Sequence, residues 1–370
     1  MPLARNALSG AFAAALTITL IPAAIPTASA STAGWRVVQS TANRHVTAIS
    51  AVSAKNAWAV GYTGDATQPL VQHWNGSSWK AVAFPKTSPR IIPETVSATS
   101  STNVWVGASA LPDKSYVLHW NGKAWKVAWK RTVPADFPVV PSVLALSSKN
   151  VWSVVASDER HTQVRHFNGH TWATVKTPAK LDVMSAVSSR NIWAAGELNG
   201  KPCILRWNGK AWKVQAKPST PSGRSFSGLS ARNSKDVWVV GGAFSPPTKK
   251  NTAVALHWDG VRWRDHSPKG IATDLISVAP DGHGGIWASG TDGRLHHFVF
   301  SKHGLFSKHG LFGEQSTSGT WTSVAAPAPK GSIAQVNALI PIPHRASLWG
   351  VETLDNDYGP QRGPILRLGS

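Results

Sequence analysis

One cysteine in 370 residues leaves Cys203 without a second cysteine, so no internal disulfide can form. Whatever fold the chain adopts must be held by its own buried core. Acidic residues are also short: 18 Asp and Glu stand against 38 Lys and Arg, a formal charge of +20. That imbalance draws a chain to polyanions such as cell-wall polymers, anionic polysaccharide or phospholipid surfaces. Long apolar runs are missing beyond residue 30. No later segment approaches the roughly 18 uninterrupted apolar residues of a membrane span, so a membrane-spanning architecture is not expected.

The first 30 residues differ from the rest. Arg5 supplies a positive start, an apolar stretch runs from Ala7 to Pro26, and Ala28-Ser29-Ala30 is a small-residue cleavage pattern. This reads as a secretory signal peptide cleaved after Ala30. Ser9, Gly10 and two prolines interrupt the stretch, which argues against a membrane anchor. The expectation is a secreted protein, residues 31–370, for which nucleic acid is not an expected partner. Length alone would suggest two domains, but all-β rings run longer as one unit.

What the chain has in abundance is tryptophan, 19 residues, with 31 Gly and 25 Pro. The tryptophans sit in a repeat, and repeats decide fold before local propensity does. One unit begins Ile49-Ser-Ala-Val-Ser-Ala-Lys-Asn56-Ala-Trp58 and ends His73-Trp74-Asn75-Gly76-Ser-Ser-Trp79. Its first tryptophan recurs at Trp105, Trp152, Trp193, Trp238, Trp287 and Trp349. Its second half recurs around Trp120, Phe167, Trp207 and Trp258. Each unit reads as four short strands, a to d. Strand a carries a small third residue (Ala51, Ala98, Ala145, Ala186, Gly228, Ala338). A polar Ser-x-x-Asn turn follows, whose side chains bond the nearby backbone. Asn-Gly or Asp-Gly joins strands c and d, as in a two-residue hairpin. Four strands every 40–50 residues is the blade pattern of a propeller.

The expected fold is an all-β, seven-bladed β-propeller of four-stranded blades. The seventh unit stops after Ile365-Leu-Arg-Leu368, one strand short. Gly34-Trp35-Arg-Val-Val38 matches the missing strand d, so the N-terminal strand should complete the last blade. Closure removes the exposed edges of an open sheet. Eighteen tryptophans fall on three motif positions and are expected to fill the wedges between blades. The exception is Trp129.

The V-W-x-V-G … H-W-N-G-x-x-W pattern resembles exported actinobacterial repeat proteins related to the Kelch and galactose-oxidase propellers. The resemblance spans nearly all of 34–370. It departs from Kelch in having one double glycine, Gly241-Gly242, and a short aromatic-to-Trp spacing. It implies a propeller, with relatives that are often lectin-like. Function does not follow from fold, because unrelated activities share it. Copper chemistry of the galactose-oxidase type would need a crosslinked Tyr–Cys pair that Tyr62, Tyr116, Tyr358 and Cys203 do not supply. Gly169-His-Thr-Trp172 lacks the aspartate of a sialidase Asp-box. His73, His119, His166 and His257 recur once per blade, a spacing that suits a repeated buried hydrogen bond better than convergent metal ligands. His296-His297 forms a separate pair, and Ser301–Phe306 is repeated as Ser307–Phe312 in an insertion at about 298–318. No cofactor or metal is expected.

In a propeller the a–b and c–d turns share one face, and the b–c and d–a loops share the other. The first face should be basic, with Lys55, Lys149, Arg190, Arg232, Lys235 and Arg345 in a–b turns, and suits an anionic wall polymer. The b–c loops vary and hold half of the acids, as binding loops on a rigid ring do. The candidate binding residues are Tyr62, Asp65, Asp113, Asp158, Glu159, Glu197, Asp292, Asp355, Asp357 and Trp129; no catalytic residue is assigned. The first reading is a non-enzymatic binding propeller for a surface glycan or a protein. Alternatives are a structural or targeting subunit of an exported, toxin-like assembly, and a lyase or hydrolase working in the central mouth.

Overall fold

The computed structural model describes residues 34–369 except 65–67, 86–90, 134–138, 159–160, 217–223, 246–249, 302–317, 329–331 and 356–361. Twenty-eight strands form seven four-stranded antiparallel sheets, and no helix occurs among the described residues. Blades one to six follow one another along the chain: 44–81, 91–132, 142–175, 180–216, 224–265 and 275–325. Blade seven takes three strands from 333–368 and its outermost strand, Trp35–Gln39, from the start of the chain. Trp35 lies opposite Leu368 and Val37 opposite Leu366. The expected closure is thus present.

Tryptophan builds the wedges. All seven strand-b tryptophans are buried, from 0% exposed at Trp193 and Trp349 to 5% at Trp287. Each points into the next blade's outer aromatics. Trp58 of blade one meets Trp125 of blade two at 6.4 Å and 89°, and Trp193 meets Trp263 at 5.7 Å and 83°. The same edge-to-face contact closes the ring: Trp287 meets Trp35 at 5.8 Å, and Trp349 of blade seven meets Trp74 and Trp79 of blade one at 5.4 Å. Rings prefer this geometry because a positive edge meets a negative face. Nearer the axis, neighbouring a strands are tied by serines. Ser50, Ser97 and Ser185 accept the N–H of Ala98, Ala145 and Ala231 at 2.9–3.0 Å.

The repeated histidines brace each blade. His73, His119 and His166 stack on Trp58, Trp105 and Trp152 at 4.1–4.5 Å. Their Nε2 atoms bond Oδ1 of Asn56, Asn103 and Asn150 in the a–b turn at 2.8–3.0 Å. Burial pushes all three imidazoles below their ordinary pKa, with Lys126 adding to the effect at His119. Blade four uses Arg206 instead, its guanidinium 5.2 Å from the Trp193 ring and bonded to Asn191 at 2.7 Å. In blade six His297, not His296, fills this place, stacked on Trp287 at 4.3 Å. The repeat is a half-buried hydrogen bond, and among the described residues no group of three or more His, Cys, Asp or Glu is placed to hold a metal.

Two local expectations need correction. The c–d connection is a four-residue loop, not a two-residue hairpin, because Trp74 pairs with Trp79. Only the glycine takes positive φ (+101° at Gly76); Asn75 instead uses its Oδ1 to accept the N–H groups of Ser77 and Ser78 at 3.0 Å. The small third residue is also misplaced in two blades. Ala231, not Gly228, lies opposite Val237, and Pro341, not Ala338, lies opposite Leu348. Blade five keeps the strand-a bulges and register of blade one, with Ser230 opposite Trp238 as Ser50 is opposite Trp58, so Ala231 takes the place of Ala51; in blade seven the a–b turn is longer, and Ile340 lies opposite Trp349.

Candidate functional site

The b–c loop residues are spread over separate blades, and Tyr62, Asp113, Asp158 and Asp292 find partners within their own. Tyr62 ends strand b of blade one, half-buried and stacked on His45 at 4.5 Å, and burial raises its phenol pKa. Asp113 of blade two pairs with Lys114 at 3.0 Å. Asp158 of blade three lies 2.7 Å from Nδ1 of His161. Glu197 is exposed on strand b of blade four, opposite Lys180 and Pro202. Asp355 ends strand b of blade seven, opposite Ile333. Asp65, Glu159 and Asp357 lie outside the described residues, as do the repeated hexamers after Ser301. Glu352, near Asp355 in sequence, is a strand-b residue with 0% exposure.

Asp292 enters a relay that sequence reasoning missed. Nε2 of His296 lies 3.2 Å from Asp292, and Nδ1 lies 2.8 Å from Oγ of Ser323 on strand d. Burial opposes ionisation of Asp292, but the His296 bond and charge, with the Arg294 N–H, hold its pKa below the usual value. His296 is 1% exposed with both ring nitrogens engaged, which makes the relay a brace between strands c and d. Its signal lay in sequence as a second histidine beside the repeat position, but Ser323, 27 residues away, was invisible as a partner.

Trp129 is half-buried on strand d of blade two, packed on the core shared with blade three. The Arg165 guanidinium covers its ring at 5.6 Å. With Tyr116, Val127 and Lys130 it lines a cleft of about 650 Å³.

The a–b face has a distinct chemistry. Lysine and arginine stems lie across the c–d loop glycines: a β-carbon on Gly76, Gly169, Gly209 or Gly260 would meet the side chain of Lys55, Lys149, Arg190 or Lys235 at 2.7–3.2 Å. The turns stack in pairs and carry their charged heads outward, and Lys55, Lys149, Arg190, Lys235 and Arg345 are all exposed. The acids of this face turn inward. Asp236 takes Arg232 and His257. Asp281 is 5% exposed and bonds His297 at 2.8 Å. Asp259 bonds Arg264 at 2.6 Å; burial opposes its charge, but the Arg262 and Val261 N–H groups and that guanidinium hold its pKa at about 2. The acids are spent on internal contacts and take Arg232 with them, while Lys55, Lys149, Arg190, Lys235 and Arg345 stay exposed.

A cavity of about 680 Å³ opens on this same face, at the end of the a strands of blades four to seven. Arg232, His344 and Arg345 lie in its lining with Leu229, Val278 and Leu339. This cavity is on the a–b face, opposite the b–c loops from which the candidate residues were drawn.

No family model and no curated protein matches the sequence. Solved structures share its architecture. A structure described as YCF48 bound to D1 peptide superposes with a TM-score of 0.59 at 13% identity, covering 91% of this chain and 97% of that one. YCF48 from Cyanidioschyzon merolae gives 0.58 at 14% identity over 91% and 99%. The Dos1 propeller gives 0.56 at 9% identity over 93% and 97%. At these identities the likeness is one of fold: by its own strand pairing and by these neighbours, the chain is a seven-bladed β-propeller.

Proposed function

We propose that the protein is an exported, non-enzymatic binding propeller that docks a protein partner on its a–b face. The observation that carries this reading is the sorting of charge there: exposed lysines and arginines, with the nearby acids consumed by internal bonds. A rigid cationic ring suits an acidic partner, whose approach it would also steer. YCF48, a neighbour in fold, has been solved with a peptide bound. The signal-like first 30 residues and the resemblance to exported Kelch-like proteins support export. A subunit role in an exported assembly is a special case of the same reading. Chemical crosslinking of the full chain in medium conditioned by its producing cells tests it. A discrete adduct is expected with the native chain and should vanish in a Lys55→Glu, Lys149→Glu, Lys235→Glu variant. An adduct that survives this reversal removes the a–b face from the proposal.

Two other readings have an observation each. The Trp129 cleft, an aromatic beside Lys130, favours a surface glycan; a glycan array without saturable, sugar-competed binding retires it. The Asp292–His296–Ser323 relay has the residue types of a hydrolase, although its imidazole is sealed. Ester turnover that Ser323→Ala leaves unchanged retires that one.

A further inference from the structure

Blades one to five join strands a and b with two residues, as at 54–55 and 234–235. Blades six and seven break the rule, using residues 281–285 and 342–347. These two long turns meet each other: a β-carbon on Gly282 would lie 2.6 Å from Cα of Ala346. The blade-seven turn is anchored by Ile342, 1% exposed, whose N–H donates to the Ser347 carbonyl at 2.9 Å. The Arg345 N–H returns to the Ile342 carbonyl at 3.1 Å. Between these bonds His344 sits at φ +60°, a left-handed conformation that a non-glycine residue holds only when its surroundings impose it. The departure from the repeat coincides with the cavity, which both turns help to line.

The lining is two-sided in chemistry. Leu229, Val278 and Leu339 are buried core residues, whereas His344 and Arg345 are exposed. No Asp or Glu lies in the lining. Arg232 shares its charge with Asp236, but Arg345 makes no ion pair among the described residues. Outside the cavity lining, Lys235 and Arg190 add further exposed cations to the same face. The inserted segment 302–317 of this chain is itself basic and does not match.

We propose that this cavity seats an acidic segment of the partner protein, with an apolar side chain entering among Leu229, Val278 and Leu339 and flanking carboxylates meeting Arg345 and Arg232. The assignment rests on the docking reading above and names its site and the partner's chemistry. The cavity volume falls in the range of pockets that hold a ligand group, and carboxylates at its rim would restore the charge balance that the internal acids leave unmet.

The test is a random-peptide display library panned on the immobilised full chain, followed by fluorescence anisotropy of a selected peptide. Selected sequences are expected to place Asp or Glu beside a large apolar residue. Arg345→Glu should weaken binding about tenfold, the effect of reversing one charge at a partly desolvated contact. Ser230→Phe, which fills the cavity, should abolish binding. Unchanged melting temperatures show that both variants fold. Selected peptides without acids, or full affinity in both variants, overturn the assignment. If such peptides lose affinity only in Lys149→Glu, docking on the face stands and the cavity does not. If no peptide is selected and the crosslinked adduct is also absent, both fall. Dextran sulfate binding that Ser230→Phe leaves intact, with no peptide selected, assigns the face to a polysaccharide instead.

Discussion

Asn103 shows how one side chain holds a blade. Its Oδ1 accepts from Trp105 Nε1 at 3.0 Å and faces Nε2 of His119 at 2.8 Å, joining the a–b turn to strands b and c. Removing it orphans the buried indole N–H and leaves a half-buried imidazole nitrogen without its partner, so Asn103→Ala should cost about 1–3 kcal/mol in urea unfolding. Glu352 is the opposite case, a polar group whose two carboxylate oxygens have no hydrogen-bond partner. It stands three residues after Trp349, where the other blades have Gly61, Ala108, Val155, Gly196, Gly241 and Gly290. Burial alone pushes its pKa from 4.5 up to about 8. The folded state thus holds a proton that the unfolded chain releases near pH 4.5. Its stabilising effect is complete below that pH and is lost as pH rises toward about 8. Glu352→Gln should flatten this loss and raise the melting temperature at pH 8.5 by about 5 °C. Thermal melts from pH 5 to 9 measure both. That an acid stood where other blades carry Gly, Ala or Val was visible in the repeat; that it was sealed from water was not, because burial is set by packing between residues distant in sequence.

At the scale of the element, the c–d loop owes its shape to two residues with different tasks. The asparagine bonds the loop's backbone, and the glycine supplies positive φ while letting the a–b turn pack on it. Gly122 is at φ +92°, and a β-carbon there would meet Thr102 at 2.7 Å. Gly122→Ala should therefore destabilise by about 1–3 kcal/mol from backbone strain and more from the clash, read in the same unfolding experiment. Asn-Gly as a turn was legible in sequence, since these residue types serve turns locally. Loop length was not, because it depends on which residues of strands c and d pair. The same applies to His297, which adjacency alone could not separate from His296. Register put His297 on the Trp287 ring and His296 on the other side of the strand.

For the whole molecule, closure is the decisive contact. Trp35–Gln39 is the outermost strand of blade seven, and Trp35 receives Trp287 of blade six. Deleting residues 31–40 removes a strand and a wedge at once. The truncated chain should lose its single sharp melting transition; differential scanning calorimetry showing an unchanged transition would contradict the role given to closure. The seven-blade count and the closing strand were readable in advance because each blade is one unit of a local repeat, and an incomplete unit announces its missing strand. The placement of the functional site was not readable in that way. Candidates came from loops that vary in composition, yet Asp113, Asp158 and Asp292 are each engaged within their own blade. The cavity lies instead where Arg232 of blade five and the blade-seven turn carrying His344 and Arg345 come together.

The amino-acid sequence by itself determined the architecture: seven Trp-marked units, their four strands, and the N-terminal strand that completes the last. These follow from periodicities of one or a few tens of residues, the range over which side-chain pattern and turn chemistry act. Only the tertiary structure decided which acids turn inward, which face keeps its charge, and where the ring opens into a cavity. Those properties depend on side chains that meet across blades, and no local pattern records which of them meet.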